Sequence, residues 1–133
     1  MGDRIQPREI PEPQGYSLGY RVGNYLWVAG QIATDDDGKP VGLGNPTAQA
    51  ECIYRRIGLI LKEAGATPQD VTMIRTFVTD ARYFPIVSEA RARFFNGHKP
   101  ASTTLQVAAL ARPEWLMEID VQAIIGQSQS AAS

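Results

Sequence analysis

Two runs of sequence near the C-terminus decide the fold: KPASTTLQVAAL at Lys99–Leu110 and MEIDV at Met117–Val121. Residue types alternate along the core of each run, which is the period of a β-strand, and Pro113 between them would interrupt a continuous ladder. We therefore predict two paired strands joined by a short turn. In the second run, alternation sends Glu118 and Asp120 to one face of the sheet and the apolar residues to the face that helices can bury. Two neighbouring carboxylates need water, a cation or a ligand, so their face is either solvated or part of a site.

Length and composition limit the class of protein. A chain of 133 residues suits one domain, and 13 basic against 14 acidic side chains give a net charge of -1, which disfavours binding to nucleic acid or to an anionic membrane. Without a leader or a long apolar run, we expect a cytoplasmic protein that spans no membrane. One cysteine, Cys52, and one histidine, His98, are too few for a zinc cluster, and there is no phosphate-binding glycine loop. We expect no metal and no cofactor, and chemistry performed by carboxylates, hydroxyls, arginines, backbone amides and water.

The remaining patterns predict a single α/β domain. They indicate a hairpin of Gly19–Val22 and Tyr25–Ala29 around Gly23–Asn24, a helix from Pro46 to Gly65 capped by Asn45, a strand at Val71–Thr79, and a helix from Pro85 to Asn96–Gly97. The order β-β-α-β-α-β-β favours one sheet with two helices on one face. We predict three segments: an extended arm over residues 1–14, the domain over residues 15–126, and a polar, disordered tail over residues 127–133.

The strand Val71–Thr79 carries apolar residues on both sides, including Phe77, although the chain has no third helix to cover a second face. Self-association would cover it, and clefts between subunits would then be natural binding sites. Arg75 in the middle of this strand must be paired or reach a wet cavity, so a structural ion pair and a ligand contact both remain open.

Other polar residues have plainer interpretations. Arg56 is assigned to the solvated faces of the first helix, because the apolar residues of that helix form a separate stripe. His98 follows the second helix and is either a polar residue near the helix dipole or a catalytic group. The run Asp35–Asp37 lacks the spacing of a calcium loop and is typical of a solvated turn.

Short motifs recur in a specific order over nearly the whole chain. They are Gly15–Tyr16, Gly23–Asn24, Gly30–Ile32, Glu63–Gly65, Val78–Asp80, Phe94–Phe95, Pro100–Ala101 and Glu118–Ile119. In this order the chain resembles the Rid family, also called YjgF or reactive intermediate deaminases and historically labelled L-PSP endoribonucleases. The resemblance implies a homotrimer whose sheets form an inner barrel, with a ligand cleft at each subunit interface.

The resemblance also implies an activity: hydrolysis, without a cofactor, of imines and enamines released by pyridoxal-phosphate enzymes. Glu118 matches the glutamate that holds the attacking water, Tyr16 matches a tyrosine of the cleft, and Gly30 matches the glycine whose amide faces the ligand. Ser102 stands where the family has a carboxylate-binding arginine, as in the branches that lack it. Ser88 and Thr104 stand at two further cleft positions and also differ from the usual residues.

Ser102 cannot bind a carboxylate through two parallel hydrogen bonds as an arginine does. Losing such a charge-assisted contact costs about 1.5–3 kcal/mol. Conventional deamination of amino-acid imines is therefore disfavoured, unless Arg75 or Arg112 supplies a replacement cation.

Three functions follow in order of preference. The first is hydrolysis of an imine, an enamine or a related small-molecule metabolite, with Glu118 as the catalytic residue and Tyr16, Gly30, Ser102, Thr104, Ser88 and Arg75 as substrate-binding residues. The second is a non-catalytic trimer that binds a metabolite or a protein partner. The third is a ribonuclease, which the near-neutral charge and the absence of a histidine pair disfavour.

Overall fold

The computed structural model describes residues 2–126, and its first helix begins and ends where its capping residues predict, whereas the second begins at Phe84, one residue before the predicted Pro85. Helix α1 spans Pro46–Glu63, and the Asn45 side chain accepts a hydrogen bond from the backbone N–H of Ala48 at 3.0 Å. Gly65 follows with a φ of 82°, a conformation that suits glycine. Helix α2 spans Phe84–Phe95 and ends at Asn96 in the left-handed region.

Six strands form one sheet in the order β1-β2-β3-β6-β4-β5. The strands are β1 Asp3–Ile5, β2 Gly19–Val22, β3 Tyr25–Gln31, β4 Val71–Val78, β5 Ala101–Gln106 and β6 Met117–Ile124. Only β4 and β5 run parallel, whereas every other neighbouring pair is antiparallel. Short 3-10 turns at Pro68–Asp70 and Ala81–Tyr83 flank β4.

The two C-terminal runs both form strands, but the prediction that they pair with each other is wrong. Strand β4 lies between them, because β6 is inserted in the middle of the sheet and bonds to β3 on one edge and to β4 on the other. The physical reason is burial. Met117, Ile119 and Val121 are almost completely buried and suit a central strand, whereas β5 is largely exposed and suits the edge.

The N-terminal arm is part of the fold. Its residues Asp3–Ile5 pair with β2, and Ile5 and Ile10 are only 8% and 4% exposed. The boundary predicted at residue 14 therefore divides a continuous structure, since a three-residue strand is too short to show periodicity in the sequence. The predicted tail at 127–133 lies outside the described residues.

Both helices pack on one face of the sheet, as predicted. The core between the layers is formed by Ile53, Ile57, Ile60 and Leu61 of α1, Val87 and Ala90 of α2, and the inward residues of β3, β4 and β6. The α/β fold class with one sheet and two helices on one face is confirmed. No helix within residues 2–126 has the length and apolar character needed to cross a membrane.

The opposite face of the sheet is open in the single chain. Tyr25 and Trp27 lie on it at 56% and 45% exposed, and Phe77 on β4 is partly exposed. Strand β4 was predicted to be covered on both faces, but within one chain only the helix side is covered. The aromatic surface of this face, formed by Tyr25, Trp27 and Phe77, has no partner in the described chain. The self-association that would cover it stays a prediction.

Candidate functional site

Glu118 stands on the open face of the sheet, where alternation along β6 predicts it. It lies opposite Phe77 of β4 and is half-buried. Burial raises the pKa of its carboxyl above the usual 4.5, and the negative charge of Asp120 raises the pKa further. Within residues 2–126 the Glu118 carboxyl makes no hydrogen bond and no salt bridge. It is therefore a partly desolvated acid with its oxygens available to water or to a ligand.

Gly30 lies directly against this carboxyl. The register between β3 and β6 shifts between Val28 and Gln31, which brings the Gly30 backbone over the end of the Glu118 side chain. A Cβ atom built on Gly30 would overlap the Glu118 carboxylate oxygen and lie only 2.7 Å from its Cδ. A glycine is needed at this position because the carboxyl occupies the space of a side chain.

Asp120, the second acid on this face, is paired with Arg75. The guanidinium donates two parallel hydrogen bonds, from Nε to Oδ1 at 2.9 Å and from Nη2 to Oδ2 at 2.7 Å. This pairing raises the pKa of Arg75. Of the two open interpretations of Arg75, the structure shows the ion pair. A ligand contact by Arg75 stays a prediction, and it would have to share the guanidinium with Asp120.

Arg112, the other replacement cation considered from sequence, is also paired with an acid, through one hydrogen bond. Its Nη2 donates to a carboxylate oxygen of Glu114 at 2.9 Å, and its guanidinium lies 5.9 Å from the ring centroid of Trp115. Neither Arg75 nor Arg112 is therefore a free cation near the candidate site.

Tyr16 and Gly30 line one cavity of about 210 Å³, together with Gln31, Arg56 and Trp115. Tyr16 is 54% exposed and borders the opening. The cavity joins residues from the N-terminal arm to the end of β3. The cavity thus brings together Tyr16 and Gly30, two of the three residues that the resemblance matches. Glu118, the third, lies against Gly30.

Arg56 in this cavity contradicts its assignment to a solvated face, because it is only 8% exposed. Its Nε donates to Gln31 Oε1 at 3.1 Å and its Nη1 to Thr34 Oγ1 at 2.9 Å. Burial lowers the pKa of this guanidinium. Helical periodicity could not reveal its burial, because the loop carrying Thr34 folds over a face of α1 that the pattern marks as polar.

Ser88, Ser102 and Thr104 lie on the other side of the sheet. The parallel register pairs Ser102 with Ile74 and Thr104 with Thr76, both of which face the helices. Ser88 on α2 and Ser102 line a cleft of about 340 Å³ at the edge of the sheet. Glu118 and Ser102 therefore point to opposite faces of the sheet, and one chain alone does not bring them into one pocket.

The same cleft contains a residue that the sequence did not single out. Arg91 on α2 donates a hydrogen bond from Nη1 to the Ser102 hydroxyl at 3.1 Å. The sequence spacing could have indicated Arg91 as a neighbour of Ser88, because the two residues are three apart and so lie on the same face of the helix. Its distance to residue 102 depends on tertiary packing and is not readable from the sequence.

The remaining polar candidates have structural partners. His98 Nε2 lies 2.7 Å from the carbonyl oxygen of Val71, to which it donates, and the Asp35 carboxylate accepts backbone hydrogen bonds from Asp37 and Lys39. In the described part of the chain no group of three or more His, Cys, Asp or Glu residues could hold a metal ion.

Comparison with known proteins places this geometry in context. Residues 8–125 match the family model described as Endoribonuclease L-PSP. A RutC family protein of Pyrococcus abyssi is 32% identical over 109 residues, which cover 81% of this chain and 86% of that protein. The structure of a Thermotoga maritima protein superposes with a TM-score of 0.87 at 32% identity, covering 93% of this chain and 98% of that one. A protein of the Rid family from Yersinia pestis has a TM-score of 0.87 at 26% identity, covering 94% and 100%.

Proposed function

Because the chain belongs to the Rid, YjgF or L-PSP endoribonuclease family, we propose that it hydrolyses an imine, an enamine or a related reactive metabolite without a cofactor. Membership of this family supports a role in small-molecule deamination or binding in general. The finer proposal rests on one observation: Glu118 is a half-buried carboxyl with a raised pKa, no bonded partner in the described chain, and Gly30 against it.

The proposed reaction needs one group that moves a proton. A water molecule held by Glu118 attacks the carbon of the C=N bond, and the Glu118 carboxylate accepts a proton from that water. Glu118 then gives this proton to nitrogen, which forms a carbinolamine with an OH and an NH2 group on one carbon. In a second transfer Glu118 takes the proton of that hydroxyl and passes it to the amino nitrogen, so the C–N bond breaks, ammonia leaves and the carbonyl forms. An enamine enters this sequence after protonation at carbon gives the imine. A raised pKa suits this exchange, because the acid and its conjugate base are then both accessible.

We further propose that the cleft is completed by neighbouring copies in a homotrimer. Two features support this: the aromatic open face, and the location of Glu118 and Ser102 on opposite faces of the sheet. An interface would bring Glu118 of one subunit towards the Ser102 edge of the next. The cytoplasmic location predicted from the sequence stays a prediction.

The test generates imines in situ with an amino-acid oxidase or an amine oxidase and follows ammonia and carbonyl release. These enzymes supply two imine classes, amino-acid imines and imines of simple amines, and we expect the wild-type protein to accelerate hydrolysis of at least one. Glu118→Gln should reduce that rate about 100-fold or more, the usual range for loss of a general acid–base. Glu63→Gln, an exposed acid at the end of α1, is the matched control and should keep the wild-type rate. Equal rates with and without protein for both imine classes would refute the proposal.

A non-catalytic binding protein is the second candidate, favoured by Ser102 at the position of the family arginine. A ligand that raises the melting temperature of the protein and is recovered unchanged after hours, with no turnover of either imine class, would support it.

A ribonuclease is the third candidate. His98, the sole histidine, is bonded to a backbone carbonyl, and the net charge is -1. A nuclease signal that persists at constant specific activity through further purification would favour it.

A further inference from the structure

The cleft between the C-terminal half of α2 and the start of β5 has an unusual charge balance. Among its lining residues are Ser88, Arg91, His98, Lys99 and Ser102, and none of the residues that line it is acidic. Its volume of about 340 Å³ is within the range of small-molecule sites.

Arg91 is the group in this cleft whose bonding is incomplete. Arg91 is partly exposed, and its one hydrogen bond in the described chain goes to the neutral hydroxyl of Ser102. Within residues 2–126 it forms no ion pair, whereas Arg93 on the same helix contacts the carboxylates of Glu89 and Glu51. A guanidinium has five N–H donors arranged as a fork, so Arg91, which lines the cleft, has donors left for a ligand there.

We propose that Arg91, supported by Lys99 and Ser102, binds the carboxylate of a small organic acid in this cleft. The guanidinium that position 102 lacks is then supplied from α2 instead of from β5. Ser102 accepts from Arg91 and keeps its own O–H free to donate to the ligand. The proposal names the substrate class for the function proposed above and rests on it for turnover, but carboxylate binding is measurable without turnover.

A carboxylate fits this cleft better than a phosphate. Phosphates bind at helix N-termini and in glycine-rich turns, where backbone N–H groups converge. The cleft instead lies beside the C-terminal end of α2, whose carbonyl groups carry partial negative charge and disfavour a second charge on the ligand. A single negative charge held by a planar fork suits a carboxylate.

The test measures binding by titration calorimetry with acetate and phenylacetate, each against its neutral amide, and with inorganic phosphate. We expect at least one acid to bind wild-type protein about tenfold or more tightly than its amide. Arg91→Gln should remove this preference, and Arg91→Lys should keep only part of it. Arg93→Gln is the matched control and should bind within about twofold of wild type. Melting temperatures near the wild-type value establish that each variant is folded.

A relocation variant makes the test sharper. Arg91→Gln combined with Ser102→Arg should regain a preference for the acid, because the cation returns to the cleft from β5. Four results would overturn the proposal: no acid binding at millimolar concentration, equal binding of acid and amide, equal losses in Arg91→Gln and Arg93→Gln, or tighter binding of phosphate than of either acid.

The two proposals fail separately. Loss of imine turnover in Glu118→Gln tests the proposed hydrolysis, and loss of the preference for an acid over its amide in Arg91→Gln tests this inference. Acid binding that depends on Arg91 without imine turnover would refute hydrolysis and leave this inference standing. Turnover that depends on Glu118 but not on Arg91, with no preference for acids over amides, would refute this inference and leave the proposed hydrolysis standing.

Discussion

At the scale of single residues, Glu118 makes the stability of the protein depend on pH. Its pKa is raised in the folded chain, so the folded state holds a proton that the unfolded state releases near pH 4.5. The free energy of unfolding should therefore fall as pH rises from about 4.5 through the higher folded pKa. The stability contributed by protonated Glu118 is fully lost above that folded pKa.

Urea unfolding of wild type and Glu118→Gln between pH 4 and 7 checks this dependence. The variant cannot ionise at position 118, so its stability should fall less over this interval than that of wild type, with Glu63→Gln behaving as wild type. Parallel curves for wild type and Glu118→Gln would show that Glu118 titrates normally.

The face on which a strand residue lies is predictable from the sequence where local alternation decides it. Period two in β6 placed Glu118 opposite the buried Met117 and Ile119. The surroundings of Arg56 and Arg91 are not predictable in this way, because the bonding of each depends on a segment distant in sequence: the Thr34 loop for Arg56 and β5 for Arg91.

At the scale of elements, the N-terminus of α1 depends on its cap. Asn45→Ala removes the acceptor for the Ala48 N–H and should lower the free energy of unfolding by about 0.5–2 kcal/mol. Thr47→Ala, an exposed substitution in the same first turn, is the control and should change it by less than about 0.5 kcal/mol. Denaturant titration measures both, and equal effects would show that the cap contributes nothing specific.

Capping residues also explain why the helices were predictable and the sheet order was not. Asn45, Gly65 and Asn96 act within one turn of a helix, so both ends of α1 and the C-terminal end of α2 follow from local sequence. The insertion of β6 between β3 and β4 depends on pairs that are 39 to 52 residues apart with β4 and 88 to 99 apart with β3, and no local pattern encodes such a pairing.

At the scale of the whole molecule, the open sheet face should be an interface. We expect wild-type protein to sediment at three times the chain mass of 14.6 kDa. Trp27→Glu places a charge on the open face, beside the ring of Tyr25, and should shift the protein towards monomer. Leu43→Glu, which replaces a more exposed apolar residue at 68% exposure away from the sheet, should leave the mass unchanged. A wild-type monomer at micromolar concentration would contradict this expectation.

The central claim is that Glu118 of one copy works with Arg91 of another in a shared cleft, and mixed assemblies test it most directly. Glu118→Gln and Arg91→Gln should each be nearly inactive alone at low imine concentration. When the two variants are unfolded and refolded together, random assembly leaves about a quarter of the interface sites with both residues intact. The account predicts recovery of about a quarter of wild-type activity, whereas mixed assemblies no more active than the separate variants would contradict it.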